Sequence, residues 1–143
     1  VNWKDLDFII VDMPPGTGDT QLTFSQEIKM DGAIIVSTPQ EVALLDVKRG
    51  IKMFDKLGVK IFGLIDNMSY FIGDDGKKYC IFGEGGVKKT AQDFDKNFLG
   101  EIPLDPEVGR QGDKGKPIVE SNSSSEVSKL FINLANKIKS NYS

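Results

Sequence analysis

One eleven-residue string, residues 9–19 (IIVDMPPGTGD), combines the residue types that magnesium and phosphate chemistry requires. Its apolar run predicts a strand that ends in the carboxylate of Asp12, at the sheet edge where open α/β folds bind ligands. Such a carboxylate can hold Mg²⁺ through water, because Mg²⁺ keeps part of its hydration shell. Gly16 lets its backbone N–H approach a phosphate, and Pro14 and Pro15 stiffen the turn before it. The plain alternative is a strand and a Pro-Gly turn in which Asp12 only caps, but the length of the string favours the phosphate interpretation.

The composition excludes several other kinds of chemistry. The 143 residues include no histidine and one cysteine, Cys80, so imidazole catalysis, histidine-ligated metals and an internal disulfide are excluded. The 18 basic and 21 acidic residues give a net charge of -3, which does not suggest a nucleic-acid surface. No apolar run approaches the roughly 18 residues that span a bilayer. We therefore expect no nucleic-acid partner and no membrane partner.

Short apolar runs predict the strands that must position these groups. The runs are residues 6–11, 32–37, 59–65 and 98–102. Their continuous apolar character is typical of parallel strands that are buried on both faces. Between them, apolar residues follow helical spacing, most clearly in the helix that Thr38, Pro39 and Glu41 open as a capping box and Gly58 ends. The alternation predicts right-handed βαβ units and a mainly parallel α/β sheet.

Two further patterns complete the expected architecture. Ser123 and Glu126 form a second capping box, before a helix near the end of the sequence. Residues 70–72 and 78–82 flank Asp75 and Gly76, which predicts a β-hairpin appended after the third strand.

Five strings in the sequence resemble the Mrp/ApbC iron–sulfur cluster carrier ATPases, which are deviant P-loop NTPases. In order, the strings are DMPPGTGD, STPQEVALLDVKRGIKMF, DNMSYF, IFGEGG and LGEIPLDPEV. The resemblance covers residues 6 to about 119. It implies a doubly wound α/β fold of the P-loop NTPase type, ATP and Mg²⁺ bound across a homodimer, and delivery of [4Fe-4S] clusters to apo iron–sulfur proteins.

The sequence departs from the family pattern because it has no Gly-rich phosphate-binding loop. That loop cradles the phosphates and supplies the lysines that neutralise charge. We therefore expect residues 1–143 to be the C-terminal portion of a single P-loop NTPase domain, whose phosphate-binding loop and first switch lie upstream. On this hypothesis the intact protein hydrolyses ATP, and the 143-residue chain alone is inactive.

A second departure concerns the cluster. Many family members place a Cys-x-x-Cys where this sequence has residues 73–76, Gly-Asp-Asp-Gly. Cys80 is a weak candidate for a cluster ligand, since four thiolates usually hold a [4Fe-4S] cluster and a dimer of this chain has two. The alternative, which we favour, is that Cys80 is a small apolar side chain in the hairpin.

The resemblance also implies roles for several residues in nucleotide binding. Asp12 would orient Mg²⁺ through water, Gly16 would contact the γ-phosphate, and Pro15 would lie beside it. Asn67 sits where relatives read adenine with a side-chain amide. Pro103, Leu104 and Asp105 match the loop that lies against the base, mainly through backbone; a simple strand-to-helix turn is the alternative.

The resemblance leads us to interpret the sequence as an ATP-dependent iron–sulfur cluster carrier, and to expect a cytoplasmic location. A non-catalytic α/β binding or scaffold module is the first alternative, favoured slightly by the missing Cys-x-x-Cys. A partitioning-type ATPase that acts on a membrane or on DNA is the second alternative. The last predicted helix has only a modest apolar area, which disfavours this alternative.

Overall fold

A computed structural model describes residues 3–14 and 18–140 of the chain. The helices are α1 (Asp19–Glu27), α2 (Glu41–Lys56), α3 (Gly86–Asp93), α4 (Pro106–Asp113), α5 (Ile118–Ser121) and α6 (Glu126–Lys139). The strands are β1 (Ala33–Ser37), β2 (Ile61–Asn67), β3 (Phe71–Ile72), β4 (Lys78–Tyr79) and β5 (Phe98–Ile102).

Strands β1, β2 and β5 form a parallel sheet in the order β1-β2-β5. Strand β2 lies in the middle and is buried from Ile61 to Asp66, as its continuous apolar run predicts. Each of the three strands lies within two residues of its predicted bounds. The parallel part of the predicted sheet is confirmed.

Helices cover both faces of this sheet. Neighbouring residues of a strand point to opposite faces, and Leu64 and Ile65 of β2 accordingly belong to different hydrophobic clusters. Leu64 packs with α2 and α3, whereas Ile65 packs with α5 and α6. The doubly wound α/β class is confirmed. Of the helices that the structure describes, none is both long and apolar enough to cross a membrane.

The predicted strand at residues 6–11 is wrong. Residues 3–14 contain no strand, and the apolar side chains of residues 6–11 are exposed, with Ile10 at 89%. An apolar run predicts burial, but a strand also needs a neighbour to take its hydrogen bonds. Within the described ranges, no strand of the sheet pairs with this segment.

Both predicted capping boxes are also wrong in detail. The Thr38 hydroxyl donates to the Gln40 side chain at 2.9 Å instead of capping α2, whose N-cap residue is Gln40. At α6 the cap is Ser125, whose Oγ accepts from the Ser128 N–H, and not Ser123. Several serines in a row make the cap position ambiguous from the sequence. The predicted helix end at Gly58 is confirmed by its left-handed φ of 68°.

The predicted hairpin forms, with β3 and β4 antiparallel. Its turn contains Gly76 with φ 74°, a backbone conformation that glycine adopts without strain. The second strand ends at Tyr79, so residues 80–82 lie beyond the hairpin ladder.

Candidate functional site

The carboxyl ends of β2 and β5 bring two of the predicted base-binding elements together. The parallel register pairs Asn67 with Ile102, so the Asn67 amide and the loop that begins at Pro103 leave the sheet side by side. Their separation in the sequence gives no indication of this, because the strand register alone determines it. This edge is where open α/β sheets bind ligands.

Three hydrogen bonds join the two segments that leave this edge. The backbone N–H and the hydroxyl of Ser69 both donate to the carbonyl of Ile102, at 3.0 and 3.1 Å. The Leu104 N–H donates to the Tyr70 carbonyl at 2.7 Å. The Leu104 amide is therefore engaged within the protein, and a base contact through that N–H would require this bond to open.

Asp105 is the N-cap residue of α4. Its carboxylate accepts from the Glu107 N–H at 2.8 Å, and Pro106 follows at the first helical turn. A capping carboxylate stabilises a helix by about 1 kcal/mol. The strand-to-helix turn that we considered for this loop is thus present, and it fixes the loop shape beside Asn67.

A cavity of about 270 Å³ lies beside the same loop. Pro103, Leu104 and Asp105 line one side of it, and Val127 and Leu130 of α6 line another. Its size is close to the lower limit of small-molecule pockets, and its lining is mostly apolar. Asn67 is not among its lining residues, so the cavity adjoins the predicted base contact without including it.

A buried carboxylate, which sequence reasoning missed, precedes Asn67. Asp66 is 1% exposed, pairs with Ser37 and Glu101 across the sheet, and its Oδ1 has no hydrogen-bond partner. Burial raises the pKa of Asp66 from 3.8 to about 6; the Glu101 carboxylate adds to this shift, and Lys78 opposes it. A raised pKa at a sheet edge is typical of functional sites. Only the strand register shows that Asp66 and Glu101 lie side by side.

The hairpin contacts this edge through Lys78. Its Nζ donates to Glu101 Oε2 at 3.3 Å and lies 4.0 Å from the centre of the Tyr70 ring. Within the hairpin, the carboxylate of Asp75 accepts from the Lys77 N–H and from the Tyr79 hydroxyl, and these bonds lower the pKa of Asp75.

Asp12 is exposed and lies in the segment that does not form the predicted strand. The strand expected to place it at the sheet edge is therefore absent from the described residues. The carbonyl of Pro14 accepts a hydrogen bond from the side-chain amide of Gln21, which ties the segment to α1. Pro15 and Gly16 lie outside the described residues. A single exposed carboxylate is a hard oxygen donor and suits Mg²⁺ held largely by water.

Cys80 lies just after β4 and is half-buried, with a free thiol. In the described part of the chain, no three His, Cys, Asp or Glu side chains lie close enough to hold a metal ion. A cluster carried by this chain would therefore need ligands from elsewhere.

A parallel sheet that is covered by helices on both faces is the architecture of the open α/β folds, which bind ligands at the carboxyl ends of their strands. The family model for the NUBPL iron-transfer P-loop NTPases of the ParA group matches residues 1–139, so the chain belongs to this family.

The chain is similar over most of its length to relatives that are named as iron–sulfur cluster proteins. An "iron-sulfur cluster carrier protein" of Aquifex aeolicus is 48% identical over 93% of the chain. The "iron-sulfur cluster transfer protein NUBPL" of Mus musculus is 45% identical over 96% of it. These matches cover 37% and 44% of the two relatives, so the chain spans about two-fifths of their length.

Solved structures give the same fold. A nucleotide-binding protein from Archaeoglobus fulgidus, in complex with ADP, is 38% identical and has a TM-score of 0.71, over 80% of this chain and 47% of that protein. The cell division ATPase MinD of Pyrococcus furiosus, at 24% identity and a TM-score of 0.70 over 94% of the chain and 52% of MinD, shares the fold.

Proposed function

We propose that the full-length polypeptide containing this sequence is an ATP-dependent carrier that delivers [4Fe-4S] clusters to apo iron–sulfur proteins. The main observation in support of nucleotide binding is the pairing of Asn67 with Ile102, which places Asn67 beside the Pro103 loop at the sheet edge. The names of the relatives support the cargo, and the ADP complex of the Archaeoglobus relative supports the nucleotide.

Each residue has a defined role in this proposal. The Asn67 amide reads adenine, and the loop of Pro103, Leu104 and Asp105 packs against the base. Asp12 orients Mg²⁺ through water, and Pro15 and Gly16 face the γ-phosphate. Bound ATP and Mg²⁺ supply the driving force through phosphoryl transfer, in which the protein mainly positions groups and stabilises charge.

We also propose a homodimer as the working unit. The partners that would receive the clusters are apo iron–sulfur proteins, since a carrier of iron–sulfur clusters delivers them to proteins that lack one. The cytoplasmic location stays a prediction; one relative, from Arabidopsis thaliana, is named as a mitochondrial protein.

Replacing Asp12 with alanine in the full-length polypeptide should lower Mg²⁺-dependent ATP turnover at least about tenfold, since the metal loses its orienting carboxylate. Turnover is measured as phosphate release at saturating ATP and Mg²⁺. Asp7→Ala is the matched control, because it removes the same charge from the same exposed segment. Equal turnover in wild type and Asp12→Ala would contradict the proposed role of Asp12.

Replacing Cys80 with alanine should leave the cluster content of the full-length polypeptide unchanged, because we assign the half-buried thiol to packing. The measurement is anaerobic reconstitution with iron and sulfide, followed by iron and sulfide analysis and by the absorption spectrum. A near-stoichiometric cluster in the wild type that disappears in Cys80→Ala would show instead that Cys80 is a ligand.

A further inference from the structure

Ser69 is a buried hydroxyl that the family comparison does not assign to any role. Its side chain is 5% exposed, yet it lies in the short segment that leaves β2 just after Asn67. Both of its donors, the backbone N–H and the hydroxyl, go to one acceptor, the carbonyl of Ile102 at the end of β5. A buried hydroxyl without a hydrogen-bond partner is unfavourable. This pair of hydrogen bonds therefore holds the two strand ends in one arrangement.

The residue between Asn67 and Ser69 supports a special arrangement here. Met68 has φ 52°, a left-handed conformation that is uncommon for residues other than glycine. Such a conformation persists only where the surrounding structure holds it, and it clusters at ligand sites. The Ser69 bonds on one side and the β2 ladder on the other provide that constraint. The turn at Met68 therefore sets the direction in which the chain leaves β2 after Asn67.

The second loop is held from the same side. Leu104 donates to the carbonyl of Tyr70, the residue after Ser69, at 2.7 Å. The base-reading amide and the loop proposed to pack against the base are thus two sides of one hydrogen-bonded clamp, residues 67–70 and 102–104. Ser69 is the one side chain of the clamp that makes a hydrogen bond of its own within it.

We infer that Ser69 is a positioning residue for base selectivity: its hydroxyl holds Asn67 and the Pro103 loop at the separation that fits adenine. This inference rests on the proposed nucleotide-binding function. Ser69 does not contact the base itself. It fixes the two elements that do, and its loss should therefore affect recognition of the base and not recognition of the phosphates.

The test measures binding of ATP, GTP and inorganic tripolyphosphate to the full-length polypeptide by titration calorimetry. Ser69→Ala should weaken ATP binding by about fivefold, the effect of one buried hydrogen bond, and lower the ATP-to-GTP preference by a similar factor. Affinity for tripolyphosphate should not change. Ser69→Thr, which keeps the hydroxyl, should restore most of the preference. If Ser69→Ala does not fold, Ser69→Cys replaces it, because a thiol has similar volume and is a weak donor.

Thr90→Val is the matched control. Thr90 is 3% exposed and its hydroxyl donates to the Gly86 carbonyl at 2.9 Å, so the variant loses the same kind of buried bond, in α3. It should reduce thermal stability and leave base preference unchanged.

Three results would overturn the inference. An unchanged ATP-to-GTP preference in Ser69→Ala, alongside weaker ATP binding in Asn67→Ala, would refute the role of Ser69 alone. An equal loss of preference in Thr90→Val would show that Ser69 acts only through general stability. A wild type that binds no ATP would refute the proposed function, and this inference with it.

Discussion

Asp66→Asn is expected to gain about 2 kcal/mol of stability relative to the wild type as the pH rises from 4 to 7.5, because a small part of the cost of the buried charge is already present at pH 4. The reason is the buried carboxyl, whose pKa is raised from 3.8 to about 6, a shift that corresponds to about 3 kcal/mol. Burial contributes most to the shift, and Oδ1 has no hydrogen-bond partner that would favour the ionised form. The wild type carries this cost at neutral pH, and the amide does not.

The direction follows from proton binding. Between pH 3.8 and about 6 the folded state of the wild type binds more protons at Asp66 than the unfolded state does. The contribution of Asp66 to the free energy of unfolding therefore falls as the pH rises through this window, and the full cost is present above it. Titrating groups that do not interact with Asp66 are shared by both proteins and cancel in the difference.

Denaturant unfolding of wild type and Asp66→Asn, at several pH values between 4 and 7.5, measures this difference directly. Asp75→Asn is the control of opposite sign. The pKa of Asp75 is lowered by bonds from the Lys77 N–H and the Tyr79 hydroxyl, so its stabilisation is lost as the pH falls. A difference between wild type and Asp66→Asn that does not vary with pH would show that the Asp66 pKa is not raised.

The position of Asp66 shows where sequence reasoning stops. The apolar runs locate the strands to within two residues, because burial on both faces selects continuous hydrophobic residues. The facing of Asp66 and Glu101 depends on register, which connects residues 35 positions apart and has no local signal. The hydrogen bond from Ser69 to Ile102 has no local signal either, because a serine side chain in a turn usually bonds to backbone groups close to it in the sequence.

The segment at residues 6–11 illustrates the opposite error. Its apolar content predicts a buried strand, and in the structure the segment is exposed and forms no strand. Hydrophobicity can be read from the segment alone, whereas a strand forms only where a neighbouring strand takes its backbone hydrogen bonds. The predicted position of Asp12 depended on that strand, and so the magnesium role of Asp12 stays a prediction.

Gly63→Ala is expected to destabilise the protein by about 3 kcal/mol, because its Cβ would overlap atoms of the neighbouring strand. A Cβ at Gly63 would lie 2.6 Å from Cγ of Leu99 and 2.8 Å from the carbonyl oxygen of Asn97. That carbonyl also accepts the Leu64 N–H at 2.9 Å, so it cannot move away without loss of a bond between β2 and β5. Relief of the overlap would separate the two strands at the start of their ladder.

Gly50→Ala provides the contrast, because a Cβ at Gly50 meets nothing within 4 Å and the residue lies inside α2. Alanine there should stabilise the protein by about 0.5–1 kcal/mol through helix propensity. Both variants are compared with wild type by denaturant unfolding, and a loss below about 1 kcal/mol in Gly63→Ala would show that β2 and β5 can separate at little cost. The consequence reaches the site, since the ladder that begins beside Gly63 ends at Asn67 and Ile102. If the strands shift to admit the Cβ, the two base-binding elements lose their common register, and nucleotide affinity in the full-length polypeptide should fall along with stability.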